Sequence, residues 1–246
     1  MDQCNSVERK LSVLYDHWEK GMEYEKEADH SKMFRMGFPE QYLYNGKPLL
    51  MYVGQEVRDS KNSIEWSNNK EKYSGKDQIW VRNYTNLQLL DIPMEGEKKN
   101  NSLFWQFARQ LRDMGYNVVW NNLDKFHQPK SGPIPAEEAK KLNASYGVER
   151  TSILQREIES VKPDIIIFAI GPSWKYVVSL ASALQLDASI LWEVRPQDDN
   201  LLSDITNLLS IPSTRIFWTY HPNGLHWKGK DKKRILDQII KNTLKP

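Results

Sequence analysis

The chain has 246 residues, 39% hydrophobic and 11% aromatic, which supplies a sizeable core and excludes global disorder. Its 34 Lys and Arg against 32 Asp and Glu leave a net charge of +2, too balanced to identify a partner by charge alone. The one cysteine, Cys4, excludes a disulfide framework, a zinc knuckle or a cysteine-held iron–sulfur cluster within the chain.

Residues 6–26 read as an amphipathic helix, since Val7, Leu11, Leu14, Trp18 and Met22 recur at three- and four-residue spacings. Residues 27–46 are polar and carry turn signals at Gly37, Pro39 and Asn45-Gly46. Leu49 to Val53 is a continuous apolar run between Pro48 and Gly54, as expected of a strand buried on both faces. Residues 57–79 form a long polar stretch, a length that inside a compact domain usually marks a functional loop. A helix over 102–114 follows, with Phe104, Phe107, Ala108 and Leu111 as its buried stripe.

Val118-Val119-Trp120 is a short strand ending at Asn121-Asn122, a dipeptide that favours turns. Residues 127–145 are loop-like, 149–161 helical, and 165–170 the clearest strand in the chain. Gly171-Pro172-Ser173 then makes a tight turn into a helix running to Leu184, with Ser173 as candidate N-cap. A helix over 199–209, a strand over 215–219 and a helix over 231–244 complete the series. Strands alternating with helices predict a mostly parallel sheet between helical layers. The expected organisation is an N-terminal helical extension, 1–46, and one α/β domain, 47–246.

No dinucleotide fingerprint, phosphate-binding loop, nucleophile elbow or zinc-protease motif is present, and the five histidines lack metal-site spacing. No metal or cofactor is therefore expected. Ligands of open parallel sheets bind beyond the carboxyl ends of the strands. The residues of interest are accordingly those following each strand: Gly54-Gln55-Glu56, Asn121-Asn122, Gly171 and Tyr220-His221-Pro222-Asn223-Gly224-Leu225. Residues 226–246 add seven basic side chains against two acidic ones, including Lys228 and Lys230. Such a cluster suits either a solvated helix surface or phosphate attraction.

Taken in order, these segments resemble the uracil-DNA glycosylase superfamily over about residues 47–245. Val53-Gly54-Gln55-Glu56 resembles its glycine-glutamine-acid loop, and Trp120 to Lys125 its asparagine-bearing strand end. Lys162 to Gly171 is similar to its third strand, and Tyr220 to Leu225 to its histidine-proline loop.

The resemblance implies a three-layer α/β/α sandwich with a four-stranded, mostly parallel sheet. It implies hydrolysis of the N-glycosidic bond of a flipped, damaged or deaminated base in DNA. Glu56 would stabilise the sugar cation or activate water, and His221 would stabilise the leaving base. Gly54, Gln55 and Asn122 would bind the base, with Asn121 competing for the amide role. Trp66 would stack on it, with Trp80 as rival. Pro222, Asn223, Gly224, Leu225, Lys228 and Lys230 would contact DNA, Leu225 as the wedge.

Two departures stand out. The family's fast uracil-removing members carry aspartate at the position of Glu56, then proline and an aromatic where this chain has Val57 and Arg58. Asn223 and Gly224 replace a serine and a second proline. The alternative is a nucleic-acid or nucleotide-binding module without turnover. Met1 to Asn5 shows no charged-then-apolar leader, and no apolar run approaches the ~18 residues of a membrane span. The expectation is a soluble, cytoplasmic, monomeric protein.

Overall fold

A computed structural model describes residues 4–21, 34–56, 78–125, 152–209, 211–224 and 231–243. In chain order the elements are α1 (Cys4–Gly21), a 3₁₀ turn (Glu40–Leu43), β1 (Leu49–Glu56), α2 (Gln78–Leu89), α3 (Leu103–Asp113), β2 (Asn117–Asp124) and α4 (Ile153–Val161). Then follow β3 (Ile165–Ala169), α5 (Trp174–Leu184), α6 (Ala188–Val194), β4 (Leu202–Asp204), a second 3₁₀ turn (Thr206–Leu208), β5 (Arg215–Thr219) and α7 (Asp231–Thr243).

The five strands form one sheet in the order β2-β1-β3-β5-β4. Four run parallel, and β4 lies antiparallel at the edge beside β5. The central strands have the expected sequence character. Ile165 to Ala169 and Leu50 to Val53 are buried throughout, because a parallel sheet covered on both faces offers no solvent side. Strand alternation divides the faces. Tyr52 and Trp120 meet Phe104, Phe107, Tyr84 and Trp105 of α2 and α3, whereas Asn121 meets Met51 and Glu157 of α4. Helices therefore flank a mostly parallel sheet.

Five sequence expectations need correction. Gly54-Gln55-Glu56, expected as the loop after the first strand, is the end of β1, which pairs with β2 as far as Glu56. The sheet has five strands, not four. Residues 199–209, expected as a helix, instead hold β4 and a 3₁₀ turn, with Leu201, Leu202 and Ile205 buried. The polar stretch to residue 79 ends earlier, because Gln78 already opens α2. Asn121 and Asn122 are not a turn: β2 carries both within its span and runs on to Asp124. The helix α6 was not foreseen. The helix expected from 149 starts after Ser152, whose hydroxyl accepts from the Gln155 N–H while the Gln155 side chain accepts from the Ser152 N–H, a reciprocal capping box. The loop expected over 127–145 lies outside the described residues.

The amino-terminal stretch shares the core of the rest. Val7, Leu11, Tyr15 and Trp18 of α1 are buried, as are Phe34, Met36 and Phe38 after it. Tyr15 Oη donates to Glu157 Oε1 at 2.5 Å and accepts the Met36 N–H at 2.9 Å. The Lys125 ammonium contacts both Glu157 oxygens, at 2.9 and 2.7 Å, and donates to Asn121 Oδ1 at 2.5 Å. Asn121 Nδ2 donates to Glu157 Oε2 at 2.9 Å. Lys125 and Glu157 are both fully buried, so the ion pair persists only because every proton of the ammonium has an acceptor. Burial pulls the lysine below its ordinary pKa, with Glu157 opposing.

Candidate functional site

The chain leaves β1, adds β2 on one side, and then crosses back to add β3 on the other. That reversal makes the β1–β3 boundary the topological switch point, where open α/β sheets bind their ligands beyond the carboxyl ends of the strands. The register aligns those ends. Gly54 pairs with Asn122, Glu56 with Asp124, Val53 with Phe168 and Ala169 with Thr219.

At this rim Gln55 Nε2 donates to the Ile170 carbonyl at 2.6 Å, tying the end of β1 to the end of β3. Gly171, at φ 80°, follows directly, and its N–H donates to Thr219 O at 3.0 Å. The Trp218 indole N–H donates to Gly171 O at 3.2 Å. A side chain on Gly171 would stand 3.7 Å from the His221 backbone nitrogen and 3.9 Å from Gln55 Nε2. The end of β1 and the segments after β3 and β5 thus meet around one residue.

Gly54 is required for a different reason. A Cβ there would lie 2.9 Å from both Asn122 Oδ1 and Phe104 Cε2, so only glycine lets the amide and the ring approach across β1. Phe104 then lies near-parallel to Tyr52, with centroids 4.5 Å apart, and near-parallel to the His221 imidazole at 5.8 Å. The sequence assigned Phe104 to a helix stripe. Nothing in its spacing separates a core aromatic from one that also holds a histidine, and only the β1 glycine opposite hints at the close approach.

The two adjacent amides have separate fates. Asn121 faces the Lys125–Glu157 pair, and its Oδ1 also accepts the Asn122 N–H at 2.8 Å. Asn122 faces the opposite side, where its Oδ1 accepts the Trp120 indole N–H at 3.2 Å. An indole nitrogen only donates, so this bond fixes which end of the Asn122 amide is which. Asn122 is 2% exposed, and its Nδ2 has no partner among the described residues. Leaving a buried donor unmade costs about 1–3 kcal/mol, so a partner for Nδ2, whether water or ligand, would be favourable.

His221 opens a tight turn closed by the Gly224 N–H donating to the His221 carbonyl at 2.8 Å, with Pro222 at the position where a fixed φ is favoured. The Asn223 N–H donates to His221 Nδ1 at 3.2 Å. Accepting at Nδ1 places the proton of a neutral ring on Nε2, so the imidazole presents a donor there. Asp124 is a further acid the sequence reading passed over. It is 1% exposed, and its Oδ2 lies 3.8 Å from Lys175 Nζ of α5.

Gly54, Gln55, Asn122 and His221 therefore come together, joined by Phe104 and Gly171. Glu56 closes β1 opposite Asp124, and its side chain lies outside the described residues. Pro222, Asn223 and Gly224 form the histidine turn, while Trp66, Leu225, Lys228 and Lys230 lie outside the described residues. Trp80, the rival platform, lies in the first turn of α2 and stacks on Tyr84 at 4.7 Å. Gln55 spends an amide proton on backbone. Among the described residues no group of three His, Cys, Asp or Glu is placed to hold a metal ion, and no helix is long and apolar enough to cross a membrane. No protein-family model, curated protein or solved structure matches the chain.

Proposed function

We propose that the chain is a DNA glycosylase-like hydrolase of three-layer α/β/α architecture that acts on a flipped, deaminated or damaged pyrimidine. The observation carrying this reading is the buried, unpartnered Asn122 Nδ2 beside Gly54, Phe104 and His221 at the switch point. A flipped base must be read along its hydrogen-bonding edge and stacked on its face. Asn122 Nδ2 donates to a ring carbonyl, and its Oδ1, steadied by Trp120, has a second lone pair for a ring N–H. Phe104 supplies an apolar wall.

Cleavage of the bond between C1′ and the base nitrogen leaves positive charge on the sugar and negative charge on the base. The His221 Nε2–H donor meets the second at a base oxygen, a preorganised contact worth ~100–1,000-fold in rate when removed from comparable sites. Glu56 meets the first, orients water toward C1′ and takes the proton that water loses.

The test is incubation with single- and double-stranded oligonucleotides containing uracil, then alkali to break the strand at abasic sites. Cleavage by the native chain, lost about 100-fold or more in Glu56→Ala and His221→Ala, is the expected outcome. No strand breaks across uracil and a panel of other lesion bases would sink the proposal. The alternative, a binding module without turnover, predicts oligonucleotide binding with no base released.

A further inference from the structure

Three residues beyond Gly171, the first residue of α5 exposes an indole that the site above does not use. Trp174 is 54% exposed, whereas every other described tryptophan is buried or half-buried. Its ring stands edge-on to Trp192 of α6, with centroids 5.3 Å apart and planes at 78°. Trp192 is fixed in turn. The Arg195 guanidinium lies over its ring, 3.7 Å from the centroid, and the same side chain donates to the Trp192 carbonyl. An exposed ring held edge-on by one neighbour that is itself fixed is a partly preorganised flat surface, so stacking on it costs less side-chain freedom.

Its location specifies the occupant. Three residues span at most about 11 Å, so Trp174 stays within that distance of Gly171, and within about 15 Å of the His221 backbone nitrogen that stands 3.7 Å from a side chain on Gly171. Bases of a stacked strand rise about 3.4 Å apart, which brings the first three neighbours of a flipped nucleotide within reach. Charge around the indole is mixed: Glu193 is exposed on α6 and Asp198 and Asp199 follow it, while Lys175 lies 3.8 Å from Asp124 and Arg195 covers Trp192. Stacking is the interaction an exposed indole offers, and every base has a π-face.

We infer that Trp174, braced by Trp192 and Arg195, is a stacking platform for an unpaired base flanking the nucleotide bound at His221. The inference rests on the glycosylase reading for the position of that nucleotide. It extends that reading from one base to the strand around it, and favours single-stranded or locally opened DNA.

The experiment uses fluorescence anisotropy with uracil-bearing single-stranded oligonucleotides in which one flanking base, at each of three positions on either side, is replaced by an abasic analogue. At one position base removal should weaken binding by the native chain about tenfold, within the range for a stacked base. In Trp174→Ala that penalty should vanish, while the remaining oligonucleotide affinity keeps its salt dependence. Trp174→Phe, which preserves an aromatic face, should restore most of it.

Equal penalties in the native and Trp174→Ala chains would overturn the inference. So would a concentration-dependent loss of dimer in Trp174→Ala with unchanged penalties, which would assign the indole to a second copy of the chain. Base release with unchanged penalties removes only the platform. A Trp174-dependent penalty without base release removes only the catalytic reading.

Discussion

Removing one partner of the buried Lys125–Glu157 pair should cost more than removing both. In Glu157→Gln the lysine keeps two neutral acceptors, the new amide oxygen and Asn121 Oδ1, but loses the carboxylate it is bonded to while fully buried. Comparable broken pairs lose about 3–5 kcal/mol, a large share of the 5–15 kcal/mol that stabilises a typical domain. At roughly 2–4 °C per kcal/mol for a chain of this size, the melting temperature should fall by about 6–20 °C. Lys125→Met should cost a similar amount, because Glu157 keeps only the Tyr15 hydroxyl and the Asn121 amide as donors.

The double variant, Lys125→Met with Glu157→Gln, is different. There no charge is stranded: the oxygen of the introduced amide can accept from Tyr15, and its nitrogen, which faces Asn121 Nδ2, is matched once the Asn121 amide turns over. Urea unfolding of the four proteins gives the coupling energy directly. The double variant should be more stable than either single one. A loss equal to the sum of the two single losses would refute the reasoning, since it would mean the groups act independently.

Gly54→Ala should destabilise by about 1–3 kcal/mol, because the added methyl must displace Phe104 or Asn122, and near-UV circular dichroism should report the moved ring. Asn122→Asp keeps the acceptor for Trp120 but replaces the unpartnered donor with an acceptor, so any uracil cleavage should fall at least about 100-fold, read by the alkali assay. Burial raises the pKa of Tyr15, Tyr42 and Tyr52, and a raised folded value gives stability that is complete below the ordinary tyrosine value of about 10 and lost as pH climbs through the folded ones. Lys125 has the opposite sign: its lowered value penalises folding when charged, and the penalty lifts as pH approaches about 10.4. Urea midpoints should therefore hold or rise up to about pH 10 and fall above it, and a monotonic rise through pH 11 would contradict the tyrosine assignment.

The four parallel strands were legible because strands covered on both faces must be continuously apolar, and Leu50 to Val53 and Ile165 to Ala169 meet that demand without exception. The fifth, β4, is three residues long at a sheet edge, and its leucines suit a helix face equally well. The helix α2 was hidden by the polar run before it. Asn121 and Asn122 were misread for a physical reason. Amides favour turns unless something inside the protein needs them, and the lysine and indole that do so lie four and two residues away, on opposite faces of the sheet. The histidine turn was visible from Pro222, but the stacking of Phe104 on His221 joins residues 117 positions apart and leaves no local trace.

Identical neighbours pointing to opposite faces make β2 intolerant of sliding. A slip by a single position would exchange the faces of the two asparagines, leaving hydrophobicity almost unchanged while turning Asn122 away from Gly54 and Trp120. The buried ammonium guards against that error, because a shifted Lys125 would lose Glu157 and stand charged among apolar groups. Proofreading of strand alignment is thus delegated to an ion pair on the far side of the sheet from the residue whose placement it secures.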